Sequence, residues 1–106
     1  MALFRRRRKA GGAGWRAASQ ADLEHLEQFV RTRRGVEALI EPRTTVTETT
    51  VILIAHDGEW TRRRIGSPDE ARRVGNRLGI PVYDVALVGY PQRMRDYNQR
   101  SRSAEA

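Results

Sequence analysis

Residues 47–65 constrain the fold more than any other stretch of the 106-residue chain. Thr47 to His56 is β-branched almost throughout and contains the continuous apolar run Val51 to Ala55, the pattern of a central strand. Asp57-Gly58 follows at once. Between two strand-like runs this dipeptide specifies a two-residue hairpin turn, because both positions accept positive φ. Glu59 to Ile65 must then return antiparallel, with His56 opposite Glu59, Ala55 opposite Trp60, Leu53 opposite Arg62 and Val51 opposite Arg64.

The flanking sequence supplies the elements that cover this hairpin. Ser19 caps a helix, and Asp22 three residues on completes a capping box with Asp in place of the usual Glu. Leu23, Leu26, Phe29 and Val30 follow at helical spacing, and Gly35 ends the helix after Arg33-Arg34. Val36 to Glu41 alternates, with Val36, Ala38 and Ile40 on one side and Glu37 and Glu41 on the other, and Pro42 stops the strand. Ser67-Pro68-Asp69-Glu70 opens a second helix whose Val74 and Leu78 face inward and which Gly79 closes. A last strand is predicted from Val82 to Val88. Residues 90–97 have the pattern of one or two helical turns, and residues from Asn98 on are expected to fray.

The order is therefore α-β-β-β-α-β. A crossover helix sets the fourth strand parallel to the third and so to the first, which predicts a mixed four-stranded sheet in the order 4-1-2-3. The fold class is α+β: one small domain over 19–97, preceded by a disordered basic arm over 1–18 and followed by a frayed tail over 98–106.

Charge separates the domain from the arm. Residues 1–18 carry +6 from Arg5, Arg6, Arg7, Arg8, Lys9 and Arg16, with no acid, whereas Ser19 to Pro91 carries ten arginines against eleven carboxylates. A nearly neutral domain thus bears a polyanion-seeking arm. The leading basic residues are followed by Ala-Gly-Gly-Ala-Gly and not by an apolar stretch, which argues against a secretory signal. Val51 to Ala55 falls far short of the ~20 apolar residues of a membrane span. The expectation is a soluble chain. The absence of cysteine removes disulfides, thiolate nucleophiles and thiolate metal sites and suits the cytoplasm.

Motifs for catalysis are sparse. There is no Gly-x-Ser-x-Gly elbow and no phosphate loop, and Gly11-Gly12-Ala13-Gly14 precedes no strand–turn–helix unit, so no cofactor site is predicted. His56, Asp57 and Glu59 crowd the hairpin tip, but three donors within four residues lack a second shell, so no metal site is assigned. His25 is expected to face solvent. Alternation places Trp60, Arg62 and Arg64 on one face of the returning strand. That face is either a platform for stacking bases and contacting phosphates or, if a helix or the chain ends cover it, a packed Trp beside an edge strand protected by arginine stems.

Two resemblances bear on function. The order α-β-β-β-α-β resembles the core of restriction-endonuclease-like nucleases, which hold magnesium with an acid near the second strand and a Glu-x-Lys pattern on the third. Asp57 and Glu59 could fill the acidic places, but position 61 is Thr and the fold has no lysine, which implies at most a degenerate relative. The stretch from Gly35 to Thr47, His56 to Arg64, Ile80 to Val85 and Gly89 to Asn98 is similar, over about two thirds of the chain, to a family of short uncharacterised actinobacterial proteins. That resemblance implies no established activity; the oxidoreductase label sometimes attached to such chains finds no thiol, dinucleotide loop or metal cage here.

The reading is a non-enzymatic, cytoplasmic binding protein associated with nucleic acid, RNA or the ribosome, through Arg5, Arg6, Arg7, Arg8, Lys9, Trp60, Arg62 and Arg64. The alternative is a protein-interaction or homodimerising module that docks a partner through Tyr90, Arg93, Met94 and Tyr97. Met94 and Tyr97 at i and i+3 would equally suit a tail folded back on its own core.

Overall fold

In the computed structural model, which describes residues 18–105, the chain runs α1 (Gln20–Thr32), β1 (Glu37–Glu41), β2 (Thr50–Ile54), β3 (Trp60–Arg64), α2 (Pro68–Leu78), β4 (Val82–Asp84), α3 (Val85–Val88) and α4 (Gln92–Glu105). The basic residues Arg5, Arg6, Arg7, Arg8 and Lys9 lie outside the described residues. The four strands form one mixed sheet in the order β3-β2-β1-β4, with β1 antiparallel to β2, β2 antiparallel to β3 and β4 parallel to β1. No helix among the described residues is long and apolar enough to cross a membrane.

Local signals set the first two helices. At α1 the capping box is complete: the Ser19 hydroxyl accepts from the Asp22 amide at 3.0 Å and the Asp22 carboxylate accepts from the Ser19 amide at 3.4 Å. At α2 the Ser67 hydroxyl accepts from the Glu70 amide, Pro68 opens the helix, and Gly79 closes it in the left-handed region at φ +73°. Both helices cover one face of the sheet. Leu26 and Phe29 of α1 and Ala71 and Val74 of α2 pack there with Val36, Ala38, Ile40, Val51, Leu53 and Ala55.

The hairpin departs from its expected register. Ala55 pairs with Glu59, since the Ala55 amide donates to the Glu59 carbonyl at 2.8 Å and the Gly58 amide to the Ala55 carbonyl at 3.0 Å. His56, Asp57 and Gly58 therefore form a three-residue loop, with Gly58 at φ +95° in the position that needs left-handed backbone. Trp60 lies opposite Ile54, Arg62 opposite Ile52 and Arg64 opposite Thr50. A one-residue slip carries a side chain to the other face of a sheet. Trp60, Arg62 and Arg64 accordingly share the face of Ile52 and Ile54, away from α1 and α2.

The C-terminal third also departs from expectation. β4 stops at Asp84, because the Asp84 carboxylate accepts from the Ala86 amide at 2.8 Å and caps the single turn α3, which Gly89 ends. Helix α4 then continues well past Asn98, to Glu105. It lies over the second face of the sheet, where buried Met94 joins Leu39, Ile52 and Ile54, with Trp60 and Val85 packed against them. The sheet is thus covered on both faces, and residues 98–105 are helical instead of frayed.

Candidate functional site

The second face carries three rows of aligned residues: Glu37, Ile54 and Trp60; Leu39, Ile52 and Arg62; and Glu41, Thr50 and Arg64. Helix α4 occupies the first row. The Trp60 indole N–H donates to Asn98 Oδ1 at 2.7 Å, and Arg93 donates to Glu37 Oε1 at 2.7 Å and to the Ala55 carbonyl at 3.1 Å. Trp60 is half-buried beneath this helix, so the open base-stacking platform considered for it is replaced by an internal anchor.

In the second and third rows, Arg62 grips both oxygens of Glu41, at 2.7 and 3.0 Å, while its guanidinium lies 5.1 Å from the Trp60 ring centre. Glu41 also accepts from the Thr50 hydroxyl at 2.6 Å and from the Tyr90 phenol. Burial pushes the Glu41 pKa up, but the bonds from Arg62, Thr50 and Tyr90 together hold it below the ordinary carboxylate value. The bond to Glu41, and then burial, push the Tyr90 phenol up. The charge of Arg62 is therefore answered within the fold. Arg64, two residues on, is exposed and pairs with no acid among the described residues.

The residues considered for partner docking are likewise engaged. Met94 is buried in the second core cluster, Arg93 bridges to Glu37, Tyr97 is half-buried with Arg100 stacked 5.9 Å from its ring centre, and Tyr90 alone keeps substantial exposure, at 39%. The segment is folded back on its own core.

The first face has features that the sequence reading missed. His25 is half-buried, and its Nε2 shares a 2.7 Å hydrogen bond with the Thr61 hydroxyl. Burial, then Arg63 and Arg33, lower the His25 pKa against the opposing pull of Asp22. Arg33 clamps Glu59 at 2.6 and 3.2 Å and lies 4.4 Å over Phe29. Asp22, His25 and Phe29 recur at helical spacing on α1, a stripe whose polar members meet β3; that spacing was the available signal.

Two open clefts flank the Arg33–Glu59 pair, one of about 270 Å³ lined by His25, Gln28, Phe29, Trp60 and Thr61, the other of about 570 Å³ lined by Thr32, Arg34, His56 and Asp57. Their acids are already committed: Glu59 to Arg33, and Asp57 Oδ1 to the Glu59 amide at 3.0 Å. Among the described residues no three His, Asp or Glu side chains gather as metal ligands. Among the described residues the acids of the clefts therefore offer no paired-acid magnesium site.

Three contacts fix the direction of α1 across the sheet. Asp22 meets Arg63 at 3.4 Å, His25 meets Thr61, and Arg33 meets Glu59, so α1 runs antiparallel to β3 with its N-terminus at the Arg64 end. The described residues therefore begin at that end, with Ala18. Arg62 and Arg63 are both ion-paired there, and Arg64 is the one arginine of the strand with no acid partner among the described residues. Comparison with known protein families, with curated proteins and with solved structures finds no match.

Proposed function

We propose that this protein is a non-enzymatic polyanion-binding protein whose ligand is RNA, and that the segment bearing Arg5, Arg6, Arg7, Arg8, Lys9 and Arg16 supplies most of the affinity. One observation carries this reading: +6 without a single acid over residues 1–18, joined to a domain that is close to neutral. Neutralising phosphates releases condensed counterions, so such a segment binds nucleic acid tightly at low salt without reading sequence. Arg64 extends the contact onto the domain. Trp60 does not, because α4 covers it, so the mode is phosphate contact and not base stacking. An RNA ligand and a cysteine-free chain fit a cytoplasmic setting.

The test is fluorescence anisotropy of a labelled single-stranded RNA across a salt series, with the full chain, a 17–106 truncation and Arg64→Ala. Six phosphate contacts predict a log–log salt slope of roughly −4 for a single strand. Truncation should remove most of that slope, Arg64→Ala about one contact of it, and Arg62→Ala far less. Affinity indifferent to salt, or retained in full by the truncation, would overturn the reading.

A further inference from the structure

We propose that Thr61 is a modification site, whose hydroxyl attacks small activated acyl donors with His25 as the base that removes its proton. The pair joins two elements. Thr61 is the second residue of β3 and lies opposite Leu53, on the sheet face that α1 covers, while His25 reaches it from α1. Thr61 Oγ1 and His25 Nε2 are 2.7 Å apart, within the reach required of a hydroxyl nucleophile and its base.

Two neighbours direct the proton. Arg63 donates to Thr61 Oγ1 at 3.5 Å, and Asp22, three residues before His25 on α1, holds Arg63 at 3.4 Å. With a cationic donor on its oxygen, the hydroxyl gives its own proton to Nε2, the arrangement in which imidazole serves as base. The same guanidinium favours the alkoxide as it forms. The charged groups that act on His25 are Arg63 from β3 and Arg33 and Asp22 from α1. Burial and the two arginines outweigh the aspartate, so the imidazole is neutral at neutral pH and free to accept.

The pair is within reach of a small molecule. Both side chains are half-buried, and both line the open cleft of about 270 Å³ that also holds Gln28, Phe29 and the Arg33–Glu59 pair. That volume suits a small acyl group. In the reaction Thr61 Oγ1 forms a bond to the acyl carbon, and the bond from that carbon to the leaving oxygen breaks. The proton passes from Thr61 to His25 Nε2 and on to the leaving group or to water. The products are an ester on Thr61 and the alcohol of the donor. One donor is consumed per chain, so the reaction modifies the protein, and it does not rest on the polyanion reading.

The test is incubation of the full chain, free of RNA, with 4-nitrophenyl acetate at neutral pH, followed by peptide mass spectrometry. An acetyl group should be found on Thr61. Thr61→Ser keeps the hydroxyl and should be labelled at the same position, whereas Thr61→Val should lose that adduct with an unchanged circular dichroism spectrum. His25→Gln keeps a partner for the hydroxyl but no base, and should slow labelling of Thr61 roughly a hundredfold. The wild-type rate at Thr61 should fall as the pH drops through the lowered His25 pKa. A chain acetylated only elsewhere, such as at Lys9, a Thr61 adduct that forms as fast in His25→Gln, or a rate at Thr61 that does not fall with pH would each overturn the proposal. No RNA is present, so failure of this reaction and failure of the polyanion reading are distinguishable.

Discussion

The indole N–H of Trp60 donates to Asn98 Oδ1 at 2.7 Å, a bond between β3 and the second turn of α4 that spans 38 positions in sequence. Trp60 is half-buried, so removing the acceptor strands a polar group that water reaches poorly. Asn98→Ala should therefore cost about 1–2 kcal/mol in urea unfolding. In a Trp15→Phe background, where Trp60 is the only indole, its emission should also shift to the red as α4 loosens. Unchanged emission with unchanged stability would show that α4 does not depend on this anchor.

Gly58 and Gly79 separate backbone strain from steric collision. Both have positive φ, +95° and +73°, so alanine is strained at either place. A Cβ at Gly79 meets nothing within 4 Å, whereas one at Gly58 collides with the Arg93 carbonyl and approaches Tyr97 Cβ to 2.9 Å. Gly79→Ala should cost about 1 kcal/mol, and Gly58→Ala about 2–4 kcal/mol, because the hairpin loop and α4 cannot both keep their places. Equal losses in thermal unfolding would mean that α4 does not press on the loop.

These two positions also show what the sequence makes legible. The Ser19–Asp22 box, the Ser67-Pro68 start and the Gly79 stop are local signals, and the sheet order follows from connection rules; all are readable within a few residues or from element order. Asp57-Gly58 is compatible with a two-residue turn or with a three-residue loop that puts glycine at the left-handed position. The choice depends on α4, whose carbonyl at Arg93 occupies the space that a side chain at position 58 would need. Helix α4 itself has only Met94 and Tyr97 as large apolar residues, so its length depends on Trp60, Glu37 and the Ala55 and Asp57 carbonyls, partners far away in sequence. The candidate site moved for the same reason. A single residue of register decides which face Trp60 takes, and a tertiary ion pair engages Arg62 while Arg64 has no acid partner among the described residues.

The Glu41 cluster gives a spectroscopic prediction. The carboxylate accepts the Tyr90 hydroxyl and makes its ionisation harder, while Arg62 acts in the opposite direction. Tyr90 should therefore give a component above the ordinary phenol range in an alkaline absorbance titration. Glu41→Gln removes the negative charge and leaves Arg62 beside the phenol, so the late-titrating component should vanish. A late component that survives the substitution would belong to another tyrosine.

His25 sets the onset of acid destabilisation. Burial, then Arg63 and Arg33, hold its pKa below the ordinary imidazole value, so the folded chain takes up this proton less readily than the unfolded chain. Stability is then complete above the unfolded value, about 6.5. It falls as the pH drops below that, because the unfolded state binds more protons there, and it levels off once the folded pKa is passed. Glu41, whose pKa is also lowered, contributes a separate loss further down, through the carboxylate range. His25→Gln retains a partner for the Thr61 hydroxyl without a titrating group. Urea midpoints measured across a pH series should show the first limb flattened in this variant and the carboxylate limb unchanged. An unaltered first limb would assign it to another group.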